Sequence, residues 1–435
     1  MKKFKRSKTI NIGLFGLGTV GTGVAKILIS QAKTIEEKTG ARVVLKRVCV
    51  KSLGKKRQVR LPAGVLINNP DSILRDPAID IVIELIGGIH PAKEIIRKAL
   101  AAGKQVVTAN KALLAEEGET IFNDAARASV YLGFEASVCG AIPIIKSIKE
   151  GLASDQVSHF LGIVNGTCNY ILSSMSQEGI GFAEALKRAR ANGFAEKNPK
   201  LDIEGIDSAH KLAILARLAF RAELPFRSIY AEGIKNLSAL DIAYAKELGY
   251  VIKLLTIGKK MKNGLELRVH PTMLPEHHPL ASVRGVYNAV FLHAQHAGDL
   301  LFYGRGAGMF PTASAVMSDI IDIAGKMVRG RIDNSFSSKK IKPAHILSMD
   351  DVVSKYYLRF QAADRPGVLG RIAQTLGKNH ISILSVHQKE SHDSKSVPVV
   401  ILTYEASEKD LRKALKLIDS DKDISQKTVV IRVEQ

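Results

Sequence analysis

Short apolar runs alternate with stretches of helical periodicity along the first 135 residues of the chain. The apolar runs predict buried strands at Thr9–Phe15, Arg42–Val50, Ile79–Leu85, Gln105–Thr108 and Val130–Phe134. The periodic stretches between them predict helices at Thr19–Lys33 and His90–Ala102. Strands separated by helices are typical of parallel βαβ units with right-handed crossovers. The pattern therefore predicts an α/β fold that begins with a parallel sheet covered by helices.

The middle of the chain, about residues 140–309, mixes both periodicities. It predicts helices at Ala183–Asn192, Ser208–Phe220 and Ile242–Leu248, and strands at Gln156–Val164 and Leu265–His270. A long apolar stretch, Thr312–Val328, predicts one more helix after a glycine-rich segment. We expect a second α/β domain here, with the last helix returning to the first domain.

The carboxyl-terminal part follows a polar segment, Arg331–His345, which we interpret as a linker. Beyond it the pattern predicts strand, helix, strand, strand, helix, strand at Lys355–Ala362, Gly367–Lys378, Ile381–Lys389, Val397–Tyr404, Glu408–Ile418 and Thr428–Val433. A βαββαβ order in about 80 residues is typical of a small ferredoxin-like unit.

Composition excludes several classes of protein. The chain has 435 residues, 46% hydrophobic and 24% charged, which is ordinary for globular domains and excludes a disordered or collagen-like chain. The three cysteines, Cys49, Cys139 and Cys168, have no CxxC spacing, so a disulfide framework or zinc site is not expected. Glycines within Ile10–Ile29 argue against a signal peptide or membrane span. We therefore expect a cytoplasmic protein with no membrane partner.

The formal net charge is +21, and much of the excess lies in residues 1–60. A basic end of this kind is compatible with a nucleic-acid partner. It is equally compatible with a lysine-rich composition plus one site for an anionic cofactor. Binding to single strands favours aromatic residues interleaved with the basic ones. Because Phe4 is the only aromatic residue directly between basic residues here, we expect no nucleic-acid partner.

A GxGxxG pattern, Gly16–Gly21, lies directly after the first predicted strand and before the first predicted helix. In that context the glycines form a tight turn, admit a pyrophosphate to the backbone and let the helix pack on the strand. A simple glycine-rich turn is the alternative. We predict a Rossmann-type dinucleotide site with contacts from Phe15, Gly16, Gly18, Thr19, Val20 and Gly21.

The end of the second predicted strand indicates which dinucleotide binds. Sites for NAD usually place an acidic residue there to bind the ribose hydroxyls. No acidic residue occurs between Glu37 and Asp71, and the segment instead carries Lys51 and Arg57. Cations suit a 2′-phosphate, so we predict NADP(H) in preference to NAD(H). The alternative is a basic loop that is exposed to solvent and has no part in cofactor binding.

Asp207 and Lys211 are four residues apart and share one face of a predicted helix. Ile214 and Leu218 continue that face, so the pair points toward apolar surroundings. A lysine in such a place is able to exchange a proton with a substrate oxygen. From spacing alone, an ordinary ion pair on a helix surface is the favoured interpretation.

The stretch Ala189–Lys211 resembles the signature of homoserine dehydrogenases, Ala-x3-Gly followed by Asn/Asp-Pro-x2-Asp-x-x-Gly-x-Asp-x3-Lys, with every fixed position filled. Further segments agree with that family at Glu84–Gly88, Thr108–Lys111, Ile163–Tyr170, Asn288–Phe291 and Tyr303–Gly308. The tail, with Asp364–Gly367 and Asn379–Ile383, is similar to an ACT domain, an amino-acid-sensing module. Since the chain begins at the first Rossmann strand, it resembles the monofunctional form.

The resemblance implies interconversion of L-homoserine and L-aspartate 4-semialdehyde in threonine, methionine and isoleucine synthesis. Lys211 is then the proton donor, Asp207 binds substrate and holds Lys211, and Glu196 binds the substrate's amino group. Lys111 is a second catalytic lysine beside the nicotinamide. Gly193 and Gly306 are expected near the cofactor.

The resemblance also implies a monovalent cation, usually sodium. Its ligands are the Glu135 carboxylate and the carbonyls of Val138, Gly140 and Ile142, an all-oxygen set that suits a hard cation. Cys139 stands where we expect glycine or another small residue. A satisfied carboxylate at a cleft edge is the alternative for Glu135.

Three domains follow from these patterns. A Rossmann domain takes residues 1–139 plus about 310–335, a catalytic and dimerisation domain takes 140–309, and an ACT domain takes 350–435. We expect L-threonine to bind the ACT domain, and a homodimer or homotetramer to form through it. The alternatives are a tail that only supports assembly, and a related dehydrogenase acting on another amino-acid semialdehyde.

Overall fold

The computed structural model describes residues 8–330, 341–389 and 396–434. The described residues divide into two compact units. The first unit takes them from Met1–Val157, His210–Phe226 and Asn288–Pro343, and the second from Ser158–Ala209, Arg227–Tyr287 and Ala344–Gln435. Most of the predicted linker Arg331–His345 lies outside the described residues.

The strands, in chain order, are β1 (Lys8–Phe15), β2 (Ala41–Cys49), β3 (Leu66–Ile67), β4 (Ile81–Glu84), β5 (Gln105–Thr108), β6 (Leu132–Gly133), β7 (Val157–Ile163), β8 (Ala222–Glu223), β9 (Tyr230–Ala231), β10 (Tyr250–Met261), β11 (Gly264–Pro275), β12 (Tyr287–Ala294), β13 (Gly298–Arg305), β14 (Lys342–Pro343), β15 (Val353–Ala363), β16 (Ile383–Gln388), β17 (Ser396–Thr403), β18 (Ala406–Ser407) and β19 (Ile424–Val433).

The α-helices are α1 (Thr19–Ser30), α2 (Ala32–Thr39), α3 (Asp71–Leu74), α4 (Ala92–Ala101), α5 (Lys111–Glu116), α6 (Gly118–Arg127), α7 (Ile144–Lys146), α8 (Gly166–Glu178), α9 (Phe182–Ala191), α10 (Lys200–Ile203), α11 (Ile206–Phe220), α12 (Ala239–Glu247), α13 (Met309–Arg329), α14 (Val368–Lys378) and α15 (Glu408–Ile418).

The first unit contains the parallel sheet that the alternation of strands and helices predicts. Its six strands lie in the order β3-β2-β1-β4-β5-β6, and every neighbouring pair is parallel. Helix α13 returns to this unit, and its apolar face shares one core with β1 and α1. The core includes Ile10, Ile12, Leu14, Val24, Leu28, Val316 and Ile320. The Rossmann-type fold is thereby confirmed.

The second unit is built on a mixed sheet. Within this unit the strand order is β7-β10-β11-β19-β15-β17-β16. The antiparallel pair β10 and β11 forms a long hairpin whose strands have 12 residues each, twice the length predicted for Leu265–His270. A βαββαβ unit at the carboxyl end supplies β15 to β19, and helices α14 and α15 pack on one face of its strands.

The sheet of the carboxyl-terminal unit is joined to the hairpin sheet. Strand β19 pairs in parallel with β11, with Thr272 opposite Arg432 and Met273 opposite Val433. The other face of β15 packs on α12, where Arg359 Nε donates a 2.6 Å hydrogen bond to Asp241 and Tyr357 donates one of 3.1 Å. The carboxyl-terminal unit is therefore built into the second unit rather than tethered to it.

Candidate active site

The glycine turn after β1 has the backbone that a dinucleotide site requires. Gly16 has φ +92°, and a Cβ there would lie 2.7 Å from the carbonyl oxygen of Leu85. A Cβ on Gly21 would lie 2.2 Å from the carbonyl oxygen of Gly16. Because a side chain fits at neither position, these two glycines hold the turn closely against β4 and the start of α1.

The front of the same turn is open. A Cβ on Gly18 would meet no heavy atom within 4 Å. Gly18 precedes α1, and in the part of the chain that the structure describes no side chain caps this helix. The first turn, which starts at Thr19 and Val20, also has no acidic residue. The amides at the start of α1 are thus available to an anion such as a pyrophosphate.

The basic loop after β2 lies against the glycine turn. The amide of Gly16 donates a 3.0 Å hydrogen bond to the carbonyl of Cys49, the last residue of β2. Arg57 bridges the two segments, since Nη2 donates to Ser52 O at 2.6 Å and Nη1 reaches Leu17 O at 3.5 Å. Lys51 is exposed on the same loop. The two cations predicted to bind a 2′-phosphate are therefore both beside the turn.

Lys111 is the first residue of α5 and follows the carboxyl end of β5. Asn110 caps this helix, accepting from the amide of Leu113 at 3.1 Å and donating from Nδ2 to the carbonyl of Gly88 at 2.7 Å. The buried Glu84 carboxylate accepts from the Thr108 hydroxyl at 2.7 Å. These contacts fix the backbone at Lys111 on the edge where ligands of parallel sheets bind.

Asp207 and Lys211 both lie on α11, as predicted, and both are buried, with 6% and 8% exposure. An exposed ion pair on a helix surface, the interpretation favoured by spacing alone, is therefore excluded. The Asp207 carboxylate accepts a 2.8 Å hydrogen bond from Asn165 Nδ2. A buried carboxylate and a buried lysine on one helical face are groups able to bind a polar substrate and move a proton.

Asn165 is a residue that the sequence motif contained without revealing its contacts. Its Nδ2 donates to Asp202 at 2.7 Å as well as to Asp207. Its Oδ1 accepts from the amide of Cys168 at 2.8 Å and so caps α8. Asn165 thus fixes the position of two carboxylates while its own position is held by a helix. Only the signature spacing of Asp202 could have suggested this cluster.

Glu196 and Gly193 lie in the segment between α9 and α10. Gly193 has φ +72° directly after α9, which favours glycine there. The Thr167 hydroxyl donates a 2.7 Å hydrogen bond to the carbonyl of Phe194 and ties this segment to α8. Glu196 itself is exposed, so its carboxylate is open to a ligand from solution.

The Glu135 carboxylate is buried at the start of α7. Its two oxygens accept from the amides of Ile145 and Lys146, each at 2.9 Å, while the Glu135 amide donates to Asp319 at 2.9 Å. Burial, with the nearby Asp319 charge, raises the pKa of Glu135 to about 7. Burial likewise raises the pKa of Asp319 to about 6. Lys146 Nζ, 3.8 Å from Asp319, offsets part of this negative charge.

The loop after Glu135 brings the other predicted cation ligands next to Gly306. Cys139 and Gly140 have consecutive positive φ values of +55° and +50°. A Cβ on Gly140 would lie 2.6 Å from the carbonyl oxygen of Gly306, so the two backbones are in close contact. The carbonyl of Ile142 accepts from the amide of Ile144 at 2.8 Å. The strained φ at position 139 explains why a glycine is expected there.

The loop Asp364–Gly367, one of the two segments that resemble an ACT domain, precedes α14, and Gly367 has φ +89°. Asn379, the first residue of the other segment, is buried and donates from Nδ2 to the carbonyl of Thr375 at 2.8 Å. Arg365 and Arg371 both pair with Asp423. The polar groups around this loop thus bond within the unit itself.

The described ranges contain no group of three or more His, Cys, Asp or Glu side chains placed to hold a metal ion. In the same ranges, no helix is long and apolar enough to cross a membrane.

Comparison with known families gives three matches along the chain. A model described as "Homoserine dehydrogenase, NAD binding domain" matches residues 16–135, and one described as "Homoserine dehydrogenase" matches residues 143–321. A model of the ACT domain matches residues 356–423. These matches agree in order with the three segments of the sequence pattern.

Whole-length relatives carry the same description. A homoserine dehydrogenase from Neisseria gonorrhoeae is 44% identical, covering 98% of this chain and 99% of that protein. One from Bacillus subtilis is 38% identical with the same coverage. The crystal structure of a homoserine dehydrogenase from Thiobacillus denitrificans is similar at a TM-score of 0.93 and 43% identity, covering 98% of this chain and 99% of that one.

A more distant structure, titled as a hyperthermophilic archaeal homoserine dehydrogenase in complex with NADPH, has a TM-score of 0.63 and 26% identity. It covers 73% of this chain and 98% of that one. The resemblance inferred from the signature at Ala189–Lys211 is confirmed by these matches. With its nucleotide-binding, catalytic and ACT segments, this chain belongs to the homoserine dehydrogenase family of oxidoreductases.

Proposed function

We propose that the chain interconverts L-homoserine and L-aspartate 4-semialdehyde with NADP(H) in preference to NAD(H), for threonine, methionine and isoleucine synthesis in the cytoplasm. The observation that carries this proposal is the buried Asp207 and Lys211 on α11, with Asp207 held by Asn165. The three cysteines are free thiols, as expected in a reducing compartment.

The reacting oxygen and the ammonium group of the substrate each have a matching residue in this proposal. During reduction, the Lys211 ammonium donates its proton to the aldehyde oxygen as the carbonyl carbon receives hydride. During oxidation, the Lys211 amine takes the hydroxyl proton as the alcohol carbon loses hydride. The carboxylates of Asp207 and Glu196 bind the ammonium end of the substrate, and Asp207 also orients Lys211. Lys111 supplies a second positive charge beside the reacting carbon.

The cofactor is proposed to bind along the glycine turn, from Phe15 to Gly21, with its pyrophosphate at the amides that begin α1. When bound, the nicotinamide supplies or accepts the hydride. Gly193 and Gly306 have no side chains that would obstruct the nucleotide, and Lys111 lies at the same sheet edge as the turn. An archaeal relative solved with NADPH is consistent with this choice of cofactor.

Replacing Lys51 and Arg57 together with glutamine should raise KM for NADP about tenfold or more, and KM for NAD much less. The reason is that a 2′-phosphate, absent from NAD, is held by charge-assisted hydrogen bonds from these cations. Initial rates of homoserine oxidation, followed at the absorbance of the reduced nicotinamide with both cofactors in parallel, measure the effect.

The same assay with other amino-acid alcohols in place of homoserine tests which substrate the enzyme oxidises.

The exposed neighbours Lys55 and Lys56 provide the matched control. Changing both to glutamine removes the same charge from the same loop without touching the groups at the glycine turn. An equal rise in KM for NADP in this control would mean that the loop attracts the cofactor only through its total positive charge, with no specific contact from Lys51 or Arg57. Equal losses for NADP and NAD in the first variant would show that Lys51 and Arg57 do not recognise the 2′-phosphate.

A sodium ion is proposed to bind near Glu135, Val138, Gly140 and Ile142. The groups present fit a hard monovalent cation, because they offer one carboxylate and backbone carbonyls rather than nitrogen or sulfur. Glu135 and Asp319 are two buried carboxylates in one place, so an added positive charge would offset their repulsion. The ion would hold the loop that contacts Gly306, and no step of the reaction is assigned to it.

Exchanging sodium chloride for tetramethylammonium chloride at equal ionic strength should lower the midpoint of thermal unfolding by about 2–4 °C. A ligand that binds only the folded state raises stability, and about 1 kcal/mol corresponds to that shift in a domain of 150–250 residues. Glu135→Gln should remove the difference between the two salts. Glu150→Gln, at an exposed glutamate nearby, should retain it. A sodium effect unchanged in Glu135→Gln would place the ion elsewhere.

The domain limits inferred from the sequence remain part of this proposal: residues 1–139 with about 310–335 for the cofactor, 140–309 for substrate and dimerisation, and 350–435 for regulation. L-Threonine is proposed to lower the dehydrogenase activity by binding the ACT segment, with a coupling free energy of about 1–3 kcal/mol. A homodimer or homotetramer is proposed to form. The ACT match at residues 356–423 supports ligand regulation.

A further inference from the structure

A cavity of about 1050 Å³ lies within the second unit, and the loop Asp364–Gly367 does not line it. One wall is formed by α15 and β19 of the carboxyl-terminal unit. The opposite wall is formed by residues of the 230–237 segment, which belongs to the catalytic part of the chain. A ligand in this cavity would therefore touch both parts at once.

The floor of the cavity is a buried ionic cluster. Arg432, with 4% exposure, donates from Nε to Glu408 at 2.9 Å and from Nη1 to Glu232 at 3.1 Å. The Tyr230 hydroxyl donates to the same Glu232 oxygen, Oε2, at 2.9 Å. Among the residues that the structure describes, no hydrogen bond reaches Glu232 Oε1. This oxygen is an acceptor for a cationic group of a ligand.

The rim of the cavity is cationic. Lys416 on α15 and Lys427 on β19 are both exposed and both line the cavity. Within the described ranges neither lysine is paired with a carboxylate. A ligand that carries a carboxylate would find two unpaired lysines at the rim, and its ammonium group would find the open Glu232 oxygen at the floor. The other two carboxylates that line the cavity are engaged, Glu408 by Arg432 and Asp419 by Thr428. Opposite charges on one small molecule are the property of a free α-amino acid.

The 230–237 segment connects the cavity to the carboxylates of the candidate active site. The amide of Ile234 donates to the carbonyl of Ile203, the last residue of α10, at 2.9 Å. A Cβ on Gly233 would lie 1.9 Å from that same carbonyl oxygen, so the two backbones are in direct contact. Asp202, the residue before Ile203, accepts from Asn165, which also holds Asp207. A shift of Glu232 would thus reach Asp202 and Asp207 through a small number of contacts.

We propose that this cavity is the effector site: a free α-amino acid binds with its carboxylate at Lys416 and Lys427 and its ammonium at Glu232. Binding there displaces the 230–237 segment and, through Ile203, the position of Asp202 and Asp207. The inference rests on the proposed regulation of the dehydrogenase and assigns it a location. It differs from the Asp364–Gly367 loop, where Arg365, Arg371 and Asn379 are already engaged within the unit.

The test titrates L-threonine by calorimetry and by inhibition of homoserine oxidation, using the full chain throughout. L-Threoninol, which lacks the carboxylate, and N-acetyl-L-threonine, which lacks the ammonium, are the matched probes. Lys416→Gln with Lys427→Gln should raise Kd for L-threonine about 10- to 100-fold, as expected for lost hydrogen bonds to charged groups. Lys413→Gln with Lys422→Gln, two exposed lysines that do not line the cavity, should leave Kd unchanged.

Glu232→Gln tests how binding of the amino acid in the cavity affects the candidate active site. We expect weaker binding of L-threonine, a smaller maximal inhibition and an altered KM for homoserine, because the neutral amide loses the ion pair with Arg432 and attracts an ammonium group less than the carboxylate does. Equal binding of L-threonine and its two analogues would overturn the proposal, as would an unchanged Kd in the double lysine variant. Binding lost instead in Asp364→Ala would place the effector at that loop. Absence of dehydrogenase activity would contradict the proposed function, yet calorimetry would still report on the cavity.

Discussion

Replacing Lys211 with methionine is expected to lower the turnover number for homoserine oxidation by about 10²–10⁴-fold, the usual contribution of a positioned acid or base. Methionine retains most of the apolar stem that α11 buries but has no proton to exchange. Binding of NADP(H), measured by fluorescence titration, should change little. Steady-state kinetics on the same preparation gives the turnover number.

The control for this variant is a second buried lysine with no proposed part in the chemistry. Lys253 has 2% exposure, donates to Asn169 at 3.3 Å and also bonds the Val283 carbonyl, and burial lowers the pKa of its ammonium to about 8. Lys253→Met should lower the free energy of unfolding while leaving turnover within a few-fold of the parent. If Lys211→Met also retains turnover within a factor of about two, Lys211 is not the proton donor.

Most of the parallel sheet of the first unit could be predicted from the sequence, whereas helices α5 and α6 and strands β12 and β13 of that unit were not predicted. Its strands are buried apolar runs and its helices are amphipathic, so local periodicity is decisive there. The predicted helix Thr19–Lys33 is an exception, since α1 ends at Ser30 and a separate α2 starts at Ala32. Gln31 between them has φ −110° and ψ 17°, outside the helical region, and a short-range pattern does not show that break.

The second unit was predicted less well, because its strands are paired and buried by residues that are distant in the sequence. Tyr250–Met261 carries Lys253 within it and two more lysines, Lys259 and Lys260, near its carboxyl end, which obscures a strand. It nevertheless pairs with β11 over its full length. Helix α8 has a weak apolar face, since Ser173 and Ser174 are buried beside Ile171 and Leu172. The pairing of β11 with β19 depends on residues about 160 positions apart, which no local pattern reports.

That pairing changes how the carboxyl-terminal unit should be tested. Deleting residues 350–435 is the obvious experiment from the sequence, but it would expose the edge of β11 and remove Arg432 from Glu232. A loss of regulation in such a deletion could follow from misfolding of the hairpin sheet. Single substitutions at the cavity rim keep these contacts and are therefore the better choice.

In the candidate site, the sequence motif identifies the charged residues, whereas their hydrogen-bond partners are seen only in the structure. Spacing alone favoured an exposed ion pair for Asp207 and Lys211. The apolar neighbours on the same helix face predicted surroundings shielded from water, and the burial of both residues agrees with that prediction. The motif did not reveal Asn165 as the common donor to Asp202 and Asp207, because that contact joins residues about 40 positions apart. Hydrogen-bond partners of a catalytic group depend on tertiary structure more than on the motif that contains it.

Asn165→Asp is expected to lower kcat/KM for homoserine at least about 10²-fold at pH 8, the cost of misplacing a reacting group by about 1 Å. The new carboxylate keeps the acceptor that caps α8 at Cys168, so the helix should remain folded. It cannot donate to Asp202 or Asp207 and instead adds a third negative charge beside them. Unfolding curves and kcat/KM for the variant and parent measure the two effects separately.

The pH dependence of that loss distinguishes positioning from a purely structural role. Burial and two neighbouring carboxylates favour the neutral form of the added carboxyl, so its pKa should be raised. As pH falls it gains a proton, becomes a donor to one aspartate and restores part of the lost activity. The ratio of kcat/KM in Asn165→Asp to that of the parent should therefore rise from pH 9 to pH 6. Asn165→Ser keeps the capping oxygen without the charge, and its ratio should stay constant. A constant ratio in both variants would mean that Asn165 acts only through the fold of α8.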